Sequence, residues 1–138
     1  MLERTFILFK PDSIARGLIG EILSRFEKKS LKIVAMKLVR MDKNIAGKLY
    51  SIHLGKKFYD ELITYVTSGA VIVMVIEGIN AVRLIRKIIG ATNPLEAEMG
   101  SIRGDYGSDI TYNLIHASDS LETAEREIKI FFNTDNLA

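Results

Sequence analysis

Residues 70–76 read AVIVMVI, the longest apolar run in the chain. Seven residues cannot cross a membrane as a helix, which takes about 20. With the following Glu77 and Gly78 the run reads as a near-continuous apolar strand. Just before it, KKFYDELITYVTSG places Phe58, Leu62, Ile63 and Val66 at helical spacing and stops at Gly69. Just after it, NAVRLIRKIIG predicts a short helix from Asn80 with a glycine stop at Gly90. A buried strand between two helices makes this a chain of alternating α and β elements.

Working outward, RTFILF (Arg4 to Phe9) predicts a first buried strand that ends at Lys10-Pro11-Asp12, because proline cannot continue a central strand. Leu18, Ile22, Leu23 and Phe26 then recur at helical spacing. LKIVAMKLVR alternates, with Ile33, Ala35, Lys37 and Val39 on one face and Val34, Met36 and Leu38 on the other. Asp42 is a candidate N-cap for a helix carrying Ile45, Leu49 and Ile52. Periodicity vanishes from Gly90 to about Ile110, and a loop of that length in a compact domain is usually functional. NLIHAS is a short strand-like stretch. The last helix has the stripe Leu121, Ala124, Ile128, Phe131 and Phe132, with Asp119 and Glu122 in capping-box spacing. The pattern β-α-β-α-β-α-β-α fits a doubly wound parallel sheet or a split β-α-β sandwich with an antiparallel sheet. The pattern does not choose between them.

Residues 1–138 read as one domain, with no linker and no internal repeat. The absence of cysteine excludes disulfides, iron–sulfur clusters, thiolate zinc sites and cysteine nucleophiles. Charges at Glu3, Arg4, Lys10 and Asp12 interrupt any secretory signal, so a cytoplasmic protein is expected. A net charge of +2 is too small for a general nucleic-acid binder. Neither a Walker loop nor a dinucleotide fingerprint is present, so a P-loop nucleoside monophosphate kinase is excluded. Nucleotide phosphates would have to meet side-chain cations.

The chain has two histidines. His116 lies in YNLIHASDS, where a strand hands over to a helix. A lone histidine there is ordinarily structural, but three neighbours permit chemistry. Asn113 lies upstream, Ser118 lies in the turn, and Glu127 sits about 40° around the next helix from Phe131. A carboxylate partner would fix the ring's tautomer and leave the other nitrogen as a nucleophile. His53, in LYSIHLGKK, reads as surface or capping. Arg86 and Arg103 flank the long loop that holds Thr92, and arginine binds phosphate in bidentate fashion.

ERTFILFKPD, SGAVIVMVIEG, ATNP, SIRGDYG and NLIHASDS, in this order, resemble the nucleoside diphosphate kinase family from Glu3 to about Phe132. The N-x-x-H-[GA]-S-D segment is the specific part. The resemblance implies a ferredoxin-like α+β sandwich, a four-stranded antiparallel sheet with flanking helices. It implies γ-phosphate transfer from a nucleoside triphosphate to a diphosphate, by a ping-pong route through phosphohistidine. By match, His116 is the nucleophile through Nδ1, and Glu127 and Ser118 orient its ring. Lys10 and Asn113 contact the sugar hydroxyl, and Tyr50 lines the phosphate pocket. Arg86, Thr92 and Arg103 hold the phosphates. Phe58 and Ile110 sandwich the base, which implies broad base specificity. Mg²⁺ arrives with the nucleotide, without a protein metal site. A homo-oligomer is implied, a hexamer in preference to a tetramer, with no nucleic-acid or membrane partner.

Three departures accompany the match. Lys56 stands where the family usually has arginine, SGAVIV replaces the commoner SGPVV, and AEMGS lacks a proline before its glycine. The alternative from another class is a catalytically inactive binding module of the same fold. The set Lys10, Asn113, His116, Ser118 and Glu127 argues against it.

Overall fold

The apolar run forms β3, Val71–Ile79, and lies between two other strands. β1 (Leu2–Phe9) pairs with it antiparallel, from Leu2 opposite Ile79 to Phe9 opposite Ile72. β2 (Lys32–Val39) pairs antiparallel with its other edge. β4 (Ile115–Ala117) joins the free side of β1, with His116 opposite Leu8. The order is β2-β3-β1-β4, and every pairing is antiparallel. This computed structural model describes residues 1–138. It is the ferredoxin-like sandwich implied by the resemblance, and the doubly wound parallel alternative is excluded.

Seven helices flank the sheet: α1 (Pro11–Ala15), α2 (Ile19–Glu27), α3 (Lys43–Leu49), α4 (Tyr59–Val66), α5 (Ala81–Ile89), α6 (Ile102–Tyr106) and α7 (Leu121–Phe131). Both faces of β3 are covered, which is why its sequence does not alternate in polarity. Val71, Val73 and Val75 join Phe6 and Leu8 against Leu49, Leu62 and Val66. Ile72, Met74 and Ile76 join Ile7 and Phe9 against Ile22, Phe26, Ile85 and Ile89. Each such side chain contributes about 1.5–3 kcal/mol when fully buried.

Three expectations need correcting. In β2 the strict alternation fails, because the register slips between Ile33, opposite Ile76, and Ala35, opposite Val75. This bulge leaves Val34 as an extra residue. Val34 and Ala35 both enter the core under α3 and α4, while Ile33 packs on the opposite face. The stretch 90–110, expected to lack periodicity, contains α6. Ser101 caps that helix by accepting from Gly104 N, and at five residues it is too short to show a period. A side chain at position 104 would collide with the Glu98 carbonyl, so glycine lets α6 close against its own loop.

The third correction concerns α7. Ser120, not Asp119, is its N-cap, accepting from Thr123 N at 3.1 Å. Of its expected stripe only Leu121 departs, being exposed: Ala124 is buried, and Ile128 and Phe131 pack partly buried against the core, with Glu127 buried beside them. Phe132 is buried just past the helix end. Ser120→Ala is expected to lower unfolding free energy by about 1 kcal/mol, the usual worth of a cap. Asp119→Ala is expected to cost clearly less, and urea unfolding of the two variants compares them.

Candidate active site

β4 is only three residues long, and its approach determines what it presents. Leu114, fully buried, has φ +76°, a left-handed conformation costing a non-glycine residue roughly 1–2 kcal/mol. Its N–H donates to Asp12 Oδ2 at 3.1 Å, and its carbonyl accepts from Lys10 N at 2.9 Å. The kink sends both Leu114 and Ile115 into the core beneath α2 and α5. His116 then falls on the opposite face of the sheet, toward α7 and the end of α3.

There the imidazole meets a carboxylate. His116 Nε2 lies 3.0 Å from Glu127 Oε1, and the same oxygen accepts from Ser118 Oγ at 2.6 Å. Glu127 is 2% exposed, so its charge depends on these partners and on Arg126, 3.6 Å from Oε2. The Tyr50 ring meets the imidazole edge-on at 5.4 Å, and Phe6 lies 6.1 Å away. The other ring nitrogen, Nδ1, has no hydrogen-bond partner in the protein. A neutral imidazole held through Nε2–H therefore keeps a lone pair on Nδ1.

Three cations converge beside it. Lys10, at the end of β1, is 5% exposed. Its Nζ donates to Asn113 Oδ1 at 2.8 Å and to the Thr111 carbonyl at 3.3 Å. Arg103 on α6 is 4% exposed. It donates to the carbonyls of Asn113 and Gly90, each at 3.2 Å, and to that of Ile115. Arg86 on α5 donates to the Ala117 carbonyl at 3.0 Å. None of the three has a carboxylate ion-pair partner, so the site is built with surplus positive charge. Burial first, and then Arg86, hold the Arg103 guanidinium down to about 10, still charged at neutral pH.

Burial first, and then Arg103, push Lys10 down to about 7, while Asp12 pulls the other way. Between about 7 and the ordinary lysine value, the unfolded chain holds a proton that the folded chain has lost. The Lys10 contribution therefore rises as pH climbs through that window. Lys10→Met is expected to flatten the gain in stability between pH 7 and 9, measured as urea midpoints against the parent protein.

These groups line a cleft of about 330 Å³, near the small end of the range for ligand sites. Every candidate residue from the sequence lines it except Ser118, which is buried behind Glu127. Phe58 and Ile110, 39% and 54% exposed, stand at the mouth as apolar surfaces free to stack on a ring. Thr92 is exposed, and its carbonyl accepts from Asn113 Nδ2 at 2.9 Å. The Asn113 amide is thus committed to Lys10 and Thr92, not to the imidazole. The Tyr50 hydroxyl is buried without a partner, and burial, then Glu127, raises it well above the usual tyrosine range.

Among the lining residues that the sequence reading missed, two are ionisable, His53 and Asp119. His53 was expected on the surface or at a cap, but its half-buried ring packs 5.2 Å from Phe58. It also receives Lys56, whose Nζ lies 3.1 Å from His53 Nδ1. Lys56 is therefore held at the rim, beside the Phe58 ring. Asp119, freed from the capping role, faces the cleft. No three His, Asp or Glu side chains come together to hold a metal ion.

With this geometry in view, comparison with known proteins is specific. A family model described as nucleoside diphosphate kinase matches residues 3–137. The chain is 56% identical to nucleoside diphosphate kinase of Saccharolobus islandicus, covering 99% of each chain. It is also 56% identical to that of Methanocaldococcus jannaschii, covering 99% of this chain and 98% of the other. The structure of the Halobacterium salinarum nucleoside diphosphate kinase in complex with CDP superposes with TM-score 0.96 at 47% identity, covering 100% of this chain and 92% of that one. The Aquifex aeolicus nucleoside diphosphate kinase superposes with TM-score 0.97 at 39% identity over the full length of both. A match this long, through both fold and sequence, shows that the chain belongs to the nucleoside diphosphate kinase family.

Proposed function

We propose that the chain works as a single domain over residues 1–138 and that His116 carries the transferred phosphoryl group. Phosphotransfer between nucleotides follows from the family to which the chain belongs, and an inactive binding module is not favoured. The observation that carries the residue assignment is the His116–Glu127–Ser118 chain, which leaves Nδ1 without a protein partner beside three cations. In the first half-reaction Nδ1 attacks the γ-phosphorus of a nucleoside triphosphate. The bond from that phosphorus to the bridging oxygen breaks, and the diphosphate leaves with its electron pair. In the second, a terminal oxygen of another diphosphate attacks the phosphohistidine, and the N–P bond breaks. Glu127 accepts from Nε2–H throughout and steadies the ring as it gains positive character.

Arg86, Arg103 and Thr92 bind the phosphates in this reading, with Tyr50 beside them. Each cation about 4 Å from a phosphate oxygen supplies roughly 4 kcal/mol of attraction at an effective dielectric near 20. Phosphoryl transfer asks mainly for such positioning and charge. Lys10 and Asn113 hold the sugar hydroxyl. Phe58 and Ile110 clasp the base through apolar faces, which any base satisfies. The family generally uses a divalent metal with its nucleotide, and we take Mg²⁺ to enter on the phosphates as part of the substrate. The cleft's carboxylates support this, since Glu127 is already engaged and Asp119 alone is free to reach a hydrated ion.

Cytoplasmic location is part of the proposal, and no helix is long and apolar enough to cross a membrane. So is a homo-oligomer, a hexamer before a tetramer. Met36 and Leu38 on the edge strand β2, and Leu95 and Met99 on the long loop, are exposed apolar side chains that would gain from a neighbour. The test of function is direct. Incubation with Mg·ATP labelled on the γ-phosphate is expected to give an acid-labile, base-stable phosphoprotein. Addition of a nucleoside diphosphate is expected to discharge it. Absence of label on the native protein would overturn the mechanism.

A further inference from the structure

The Asp12 carboxylate joins three parts of the fold. Oδ2 accepts from Leu114 N at 3.1 Å, at the kink before β4. Oδ1 accepts from the Tyr65 hydroxyl on α4, and Asp12 N donates back to that hydroxyl at 2.6 Å. Tyr65 is itself wedged against Tyr112 at 4.5 Å. The kink at Leu114 is what separates Asn113, which holds Lys10, from His116, which turns to the other face. A left-handed, buried leucine persists only where its surroundings over-determine it, and Asp12 is the side chain that bonds its amide.

Asp12 also stands against the charge imbalance of the cleft. Lys10 faces Arg103 from α6, with Arg86 from α5 beyond it. His53 and Tyr50 near the end of α3, His116, Asp119 and Glu127 across the cleft, and Tyr65 with Tyr112 on the Asp12 side complete the titratable surroundings. No carboxylate forms an ion pair with Lys10, but Asp12, two residues on, bonds the amide next to Asn113, which holds the Lys10 ammonium, and its charge opposes the effect of burial and of Arg103. We propose that Asp12 is a positioning residue for phosphotransfer: its carboxylate braces the backbone that presents Asn113 and His116, and supplies the counter-charge for the Lys10 ammonium. This rests on the reading of Lys10 as a substrate-binding cation.

The two jobs separate under substitution. Asp12→Asn keeps an acceptor for Leu114 N but removes the charge. Asp12→Glu keeps the charge but displaces the acceptor. With Mg·ATP and GDP as substrates, kcat/KM of the full chain is followed from pH 5.5 to 9.5. In Asp12→Asn the alkaline limb is expected to move down by on the order of one pH unit. That is about tenfold lost at pH 8 and little at pH 6. In Asp12→Glu the limb is expected to stay in place while kcat falls at every pH. The Lys10 titration is read independently from its ¹³Cε resonance, which needs no turnover, and is expected to follow the same shift. Labelling of His116 in the parent protein is scored separately. Failure there overturns the proposed function and leaves the Lys10 titration as a test of Asp12. A loss in Asp12→Asn that is equal at all pH values, with the Lys10 midpoint unmoved, would overturn the counter-charge role. Parental kcat in Asp12→Glu would overturn the brace. If Asp12→Asn does not fold, Asp12→Glu decides: a limb that moves down despite the retained charge overturns the proposal.

Discussion

His116→Ala is expected to abolish the label from γ-labelled Mg·ATP and to lower phosphotransfer by on the order of 10⁴-fold or more, the scale on which loss of a covalent nucleophile registers. The fold should survive. The ring is 19% exposed on a short edge strand, and its removal takes away only its packing against Phe6 and Tyr50 at the cleft wall. Glu127 would lose one donor but keep Ser118 Oγ. Thermal unfolding should therefore move by only a few degrees. Nucleotide binding should persist, because the cations and the apolar mouth are untouched. Equilibrium binding of a nucleoside triphosphate with near-parental affinity, together with no label, is the expected pair of results. Label surviving in the variant would place the phosphoryl acceptor elsewhere.

How much of this was legible in the sequence depends on the range over which each feature is determined. The β3 run announced itself because a strand covered on both faces needs apolar residues at every position, and that shows in one short window. The choice between parallel and antiparallel sheets did not, since β-α-β spacing suits both; the family resemblance made the distinction. Local competition between caps was also hidden. Asp119 and Ser120 are both good caps, and only the backbone at the helix start decides for Ser120. The β2 bulge left no local mark, because Ile33, Val34 and Ala35 are all apolar and either face would accept them. At the site, His116, Asn113 and Glu127 could be nominated from spacing near one another. The convergence of Lys10, Tyr50 and Arg103 on them comes from β1, α3 and α6, and no local pattern encodes it. His53 was misread for the same reason. It looks polar and terminal in its own segment, and its partners Phe58 and the cleft wall are set by how the segment after α3 folds back.

Arg103 is where the sequence reading names a phosphate contact and is silent about structure. It was read as one arm of a phosphate clamp, yet it is 4% exposed and donates to three backbone carbonyls. Two belong to Asn113 and Ile115, on either side of the Leu114 kink, and the third to Gly90 at the end of α5. The guanidinium thus sets the spacing between the long loop and the histidine strand, and under the proposed function it also offers charge to substrate. Arg103→Lys is the informative change. An ammonium cannot reproduce a planar fork aimed at several acceptors, so one or two buried carbonyls lose their donor at about 1–3 kcal/mol each. A lysine in that place would be buried beside Arg86 and Lys10, and both burial and neighbouring cations disfavour an ammonium. It would therefore hold its proton less firmly than arginine does. The expected result is a fall in kcat/KM of about 10²–10³-fold at pH 8, partly recovered toward pH 6 as the ammonium reforms. Unfolding should come several degrees earlier. A steady-state pH series with paired thermal melts checks both arms. If the deficit were the same at pH 6 and pH 8, loss of shape alone would account for it, and the charge on residue 103 would have no part in binding the phosphates.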